Sequence, residues 1–137
     1  MQMIQSISAE ELALLISTWG HRPEVQWQID KTARLKIGHA GVVSFIHLYG
    51  IDERGRSNGI AFSAAVNKQI QFWHIEAWSR KTLFGRLRRA EDGCAEVDWL
   101  VPIEGVTEDY LHYCFDIWCN IVANFLKFCK EHSEIEE

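Results

Sequence analysis

The segment from Val42 to Tyr49 constrains this chain more than any other stretch. Val42, Ile46 and Leu48 alternate with Val43, Phe45 and Tyr49, so a strand built from it is apolar on both faces. Such a strand belongs in the middle of a sheet, and something has to cover each of its sides. The flanking sequence supplies the sheet. From Val25 to Val66 the apolar period is close to two, β-branched and aromatic residues are enriched, and turn signals stand at His39-Ala40-Gly41 and Asp52-Glu53-Arg54-Gly55. The pattern predicts strands near Val25 to Ile29, Ala33 to Gly38, Val42 to Tyr49 and Gly59 to Val66, the first with the faintest alternation.

Helical signals bracket this meander. Ser8 and Glu11 have capping-box spacing, and Leu12, Leu15, Ile16 and Trp19 follow on one side before Gly20 and Pro23 end the helix. A second helix is expected from Asn67 to about Arg80, with Ile70, Trp73 and Ala77 in register and Phe72, Ile75 and Trp78 widening the stripe. Thr107 caps a last helix reaching about Glu131, with Glu108 and Asp109 at the positive end of its dipole. Leu111, Phe115, Trp118, Val122, Phe125 and Cys129 form one stripe on it, and Tyr110, Cys114, Ile117, Ile121 and Phe128 form a second beside the first.

Between the second and last helices, Leu83 to Ala90 and Cys94 to Val101 read as a hairpin about Glu91-Asp92-Gly93. A three-residue loop sets Arg88 opposite Glu96 and Arg86 opposite Asp98, and leaves Leu87, Val97, Trp99 and Val101 on the other face. A two-residue loop would mix those arginines with Val97 and Trp99, so the alternation selects the three-residue form.

The elements predict an α+β domain with an antiparallel sheet, in the order α-β-β-β-α-β-β-α. With 137 residues, 47% hydrophobic and 24% charged, the chain has the size and composition of one globular domain spanning residues 1–137, with an acidic end at 132–137 expected to fray. A net charge of -5 gives no concentrated cationic face for nucleic acid or an anionic membrane. The one basic cluster, Arg80, Lys81, Arg86, Arg88 and Arg89, is opposed by Glu96 and Asp98 across the hairpin. No apolar run is long enough to span a bilayer, the N-terminus lacks a signal-peptide pattern, and the four cysteines lack CxxC spacing. A cytoplasmic protein with reduced thiols is expected.

Chemistry-bearing patterns are few. His112, Cys114, Cys119 and Cys129 point to several faces of one helix and do not make a metal set. No serine sits in a nucleophile elbow, and the glycines match no phosphate-binding fingerprint. The sequence therefore predicts no catalytic residue, metal or cofactor. Its surplus is apolar: two stripes on the last helix and two faces on the central strand. The expected partner is a second copy of the chain, or else a client polypeptide, with the last helix, the central strand or both at the interface, and Tyr110, Cys114, Ile117, Ile121 and Phe128 as the helix's candidate contact residues. The runner-up is a small-ligand sensor with a pocket lined by Trp73, Trp78 and Trp99.

Particular segments also resemble the YbjN family of bacterial proteins, described as sensory transduction regulators. They are Val43-Ser44-Phe45-Ile46-His47-Leu48-Tyr49-Gly50, Ile75 to Arg86, Glu91-Asp92-Gly93, and Gly105-Val106-Thr107-Glu108-Asp109 opening a helix that contains Trp118. Ser79 and Leu83 depart from the family pattern, which favours asparagine and arginine there. The resemblance implies the type III secretion chaperone-like fold, in proteins that commonly pair and hold extended polypeptide segments. It carries over no catalytic residues.

Overall fold

The computed structural model describes residues 3–28, 32–39 and 41–132. Ile29, Ala40 and the acidic end from Ser133 to Glu137, which figure in the expectations above, lie outside the described residues. In chain order the elements are β1 (Met3–Ile4), β2 (Ile7–Ser8), α1 (Ala9–Thr18), β3 (Glu24–Trp27), β4 (Ala33–His39), β5 (Val42–Tyr49), β6 (Arg56–Ser57), β7 (Gly59–Gln69), α2 (Phe72–Lys81), β8 (Arg86–Arg89), β9 (Cys94–Pro102), β10 (Val106–Thr107) and α3 (Glu108–His132). The fold is α+β with three helices. Four strands of the main sheet, not three, precede α2, because the segment of faintest alternation does pair, from Glu24 to Trp27, with β4.

The main sheet has six strands in the order β3-β4-β5-β7-β9-β8, every neighbouring pair antiparallel. Two-residue ladders, β1 with β10 and β2 with β6, tie the N-terminal residues to the loop before α3 and to the turn before β7. The expected central strand is central: β5 and β7 occupy the middle of the sheet.

α1 starts as its capping box requires, with the Glu11 amide donating to Ser8 Oγ at 3.1 Å and the Ser8 amide donating to Glu11 Oε1 at 3.0 Å. It buries Ala9, Leu12 and Ile16 over one half of the sheet. The second helix begins later than expected. Asn67 and Gln69 belong to β7, which runs to Gln69 opposite Cys94 with a register shift after Ala65. Their side chains serve the hairpin instead of a helix: Gln69 Nε2 donates to the Asp92 carbonyl at 2.9 Å, and the Cys94 thiol lies 3.5 Å from Asn67 Oδ1. Ile70 is buried from the link between β7 and α2.

The hairpin register matches the charge alternation, with Arg86 opposite Asp98, Arg88 opposite Glu96 and Leu87 opposite Val97. Gly93 supplies the left-handed residue of the three-residue loop at φ +87. The first hairpin strand is shorter than expected: it starts at Arg86, because the chain turns at Gly85, where φ is +85.

α3 crosses the inner face of the sheet as a helix of 25 residues. Its first stripe, from Leu111 to Cys129, is buried as expected. Trp118 stacks on Phe62 of β7 with ring centroids 5.2 Å apart, and Phe62 in turn stacks on Trp99 at 5.8 Å, so an aromatic pile forms the centre of the core.

Candidate functional site

All three helices lie on one side of the sheet. On that side Leu35, Ile37, Ile46, Leu48, Ile60, Phe62, Val97 and Val101 are buried in the core. The residues between them in sequence face outward, and no element among the described residues covers them. Tyr49 is 53% exposed, Leu100 is 65% and Val43 is 41%, although all three belong to interior strands of the sheet. The second side of the Val42–Tyr49 strand, which the sequence says must be covered, is open to solvent.

The outer face is ordered across the strands. One row, read directly from the strand registers, runs Glu24, Lys36, Phe45, Ser63, Asp98, Arg86 from β3 to β8. The next runs Gln26, Arg34, His47, Ala61, Leu100, and a third runs Tyr49, Gly59, Pro102. Along β5 the outward residues are large, namely Val43, Phe45, His47 and Tyr49. Along the adjacent β7 they are small, namely Gly59, Ala61, Ser63 and Ala65. A trough therefore follows β7, walled by β5 rings on one side and by Leu100, Asp98 and Glu96 on the other. A depression of about 430 Å³ opens along it between His47, Tyr49, Ser63, Leu100 and the hairpin charges.

Polar groups finish the margins. Arg86 Nε and Nη2 donate to the two Asp98 oxygens at 3.1 and 3.0 Å. Arg88 pairs with Glu96, and its Nε lies 3.2 Å from Asp98. Two arginines of the basic cluster thus spend their charge within the sheet face. On the opposite margin the Arg34 guanidinium lies 4.2 Å over the Phe45 ring and donates to Gln26 Oε1 at 2.8 Å.

His47 sits half-buried near the middle of the face, its Nε2 3.1 Å from Ser63 Oγ. Desolvation, and then the nearby Arg34 charge, hold its pKa below the ordinary value, against a smaller opposing effect of Glu96. A histidine beside a serine is the start of a nucleophile and base pair. Here the surrounding backbone amides are committed to strand ladders, and the pair lines the open depression along β7.

The residues expected to form an interface are placed otherwise. Cys114, Ile121 and Phe128 are buried within the chain, Ile117 is partly buried, and only Tyr110, 52% exposed, is mainly in solvent. The C-terminal part of the second stripe of α3, Ile121 and Phe128, is covered by α2 and the loop after it. Trp78 meets the rings of Phe125 and Phe128 edge-on at 6.4 and 5.5 Å, and Gly85 closes over Ile121. Exposed apolar residues stand instead on the outer sheet face, at Val43, Tyr49 and Leu100, and around α2, at Phe72, Trp73, Leu83 and Phe84.

Nor do the three tryptophans share a cavity. Trp78 is buried, with its indole N–H donating to the Gly85 carbonyl at 3.1 Å. Trp99 lies nearer the start of α3, against Phe62 and Phe84. Trp73 is 48% exposed and faces His74 and His132 at the far end of that helix. Cavities beside Trp78 are lined by α2 and the C-terminal half of α3, whereas those beside Trp99 are lined by β9, β10 and the start of α3 or by the outer sheet face.

No family model, curated protein or solved structure matches this chain. Among the described residues no group of three or more histidines, cysteines or carboxylates is placed to hold a metal ion, and no helix is long and apolar enough to cross a membrane. None of the four cysteines is in a disulfide. Burial, and then Asp116, push the Cys119 thiol up to about 11, far from the reactive range.

The outer face could have been found from the sequence. Gly59, Ala61, Ser63 and Ala65 repeat at a period of two, and small residues on one face of a strand beside large ones on its neighbour mark a trough rather than a core.

Proposed function

We propose that this chain is a non-enzymatic protein-binding domain of chaperone-like or regulatory type, and that it engages polypeptide through the outer face of its sheet. The observation that carries the reading is that the helices cover one face alone, while Val43, Tyr49 and Leu100 remain exposed on the interior strands of the other. A contiguous apolar patch with a charged margin marks a protein interface. The hairpin ion pairs leave little net field for a phosphate backbone, which favours protein over nucleic acid. The resemblance to the YbjN family, which implies a chaperone-like fold whose proteins commonly hold extended polypeptide, points the same way.

The test is a photo-crosslinking residue placed at Leu100 in living source cells, with the same residue at Leu14 on α1, 68% exposed, as the control surface. Adducts with polypeptide at position 100, and far fewer at 14, are expected. Equal labelling at both positions, or none at 100, would remove the support for a docking face.

A further inference from the structure

We infer that the outer sheet face is built to dock onto the same face of a second copy of this chain, in a symmetric pair related by a two-fold axis that runs along the strands between β5 and β7. The inference rests on the protein-binding reading above and goes further by naming the partner and the contacts.

The order of residues across the sheet points to this pairing. A two-fold axis lying between two facing sheets and parallel to their strands reverses the strand order, so β5 of one copy lies over β7 of the other, β4 over β9 and β3 over β8. The six strands have that axis at their centre, between the third and fourth. In the row Glu24, Lys36, Phe45, Ser63, Asp98, Arg86, the reversal sets Glu24 against Arg86, Lys36 against Asp98 and Phe45 against Ser63, each pair formed twice. Opposite charges meet at the margins and a ring enters the trough at the centre. In the next row His47 lies over Ala61, and Leu100 meets the aliphatic stem of Arg34. In the third, Tyr49 lies over Gly59. In these three rows the face is complementary to its own reversed image in charge and size, while in the row of Gly38, Val43, Ala65, Glu96 and Arg88 the two charges stay paired with each other.

Area and spacing agree with this arrangement. Six strands about 4.8 Å apart, four residues long at the two edges and seven to eleven between them, span about 29 by 20 Å at roughly 3.3 Å per residue. Two such faces bury more than ~1,000 Å² together, enough for a specific association. Aligned sheets pack about 10 Å apart and rotated by about 30°, which displaces the row ends by several ångströms, a distance that lysine, arginine and glutamate side chains span. A foreign strand or helix lying in the trough would satisfy the apolar centre, but it would not set opposite charges against Glu24 and Lys36 as the reversed copy does.

The test uses sedimentation equilibrium of the full chain at about 50 μM, with Lys36→Glu and Asp98→Lys as separate variants whose folds are checked by circular dichroism. Wild type is expected to be a dimer. Each variant alone places like charges together twice and should weaken association at least tenfold, whereas an equimolar mixture restores both contacts and should form heterodimer. If either substitution fails to fold, Lys36→Gln with Asp98→Asn replaces the pair, and weakening by both is then the expected result. A wild-type monomer, or a dimer indifferent to the substitutions, overturns the inference. A monomer whose position 100 still crosslinks foreign polypeptide overturns the self-docking arrangement and leaves the protein-binding reading standing. A monomer that crosslinks nothing there removes both.

Discussion

Arg86 holds Asp98 across the β8–β9 hairpin with both ends of its guanidinium, Nε to Oδ1 at 3.1 Å and Nη2 to Oδ2 at 3.0 Å. The geometry is the favourable bidentate one, but the arginine side chain is 71% exposed, so water and salt screen the pair. Arg86→Ala should lower stability by no more than about 1 kcal/mol. Urea denaturation of the isolated chain at low and high salt checks this. A loss well beyond that range would mean that the pair organises the hairpin.

The buried second stripe of α3 gives a prediction of the opposite size. Ile121 contacts the turn at Gly85 and lies inside the core, so Ile121→Asp puts a charge where no partner waits and should cost on the order of 3–5 kcal/mol. The substituted chain should unfold at far lower urea rather than change its state of association. A folded chain with an altered sedimentation coefficient would restore the stripe as an interface.

Gly85 itself is a sharper probe of the same contact. It has φ +85, and a Cβ there would stand 2.8 Å from Ile121 Cγ2, so Gly85→Ala combines a disfavoured backbone with a clash. A loss of roughly 1–3 kcal/mol is expected, read as a shift of the thermal midpoint. If Gly85→Ala costs less in an Ile121→Ala background, which removes the clashing Cγ2, the clash component is confirmed, and an equal cost in both backgrounds would assign it all to the backbone.

What the sequence made legible follows from which interactions are local. The hairpin register could be read because Arg86, Arg88, Glu96 and Asp98 alternate with Leu87 and Val97, and a slip by one residue would invert every side chain. The capping box at Ser8 and the first stripe of α3 are likewise encoded within a few residues. The sequence pattern leaves the second stripe for a partner because nothing near Ile117 and Ile121 in sequence announces that α2 and Gly85 will close over them. Asn67 and Gln69 fit a helix in the sequence pattern because their hydrogen bonds to the hairpin at Asp92 and Cys94 are long-range. The β1–β10 and β2–β6 ladders are two residues long and leave no periodic trace.

His47 links the face to pH. Its pKa is held below the ordinary value of 6.5, so the folded state favours the neutral ring. The sign follows: stability from this group is present above the ordinary value and is lost as pH falls through the depressed one. The groups facing it are Arg34 on β4, Ser63 on β7 and, as charges farther off on β9, Glu96 and Asp98. Association through the face should therefore weaken between pH 7 and about 5.5, because docking buries the ring further. His47→Gln should flatten that dependence, measured as the difference between the two sedimentation profiles. An unchanged profile would show that His47 remains outside the contact.

The central claim, that the outer face of the sheet is covered in use, is tested most directly by hydroxyl-radical footprinting with mass spectrometry. The chain is labelled once purified at nanomolar dilution and once in concentrated extract of its source cells. Tyr49 and Leu100 should lose most of their reactivity in the extract, while Leu83, Leu14 and Tyr113, exposed elsewhere on the surface, keep theirs. Equal reactivity of Tyr49 and Leu100 in both samples would contradict the account.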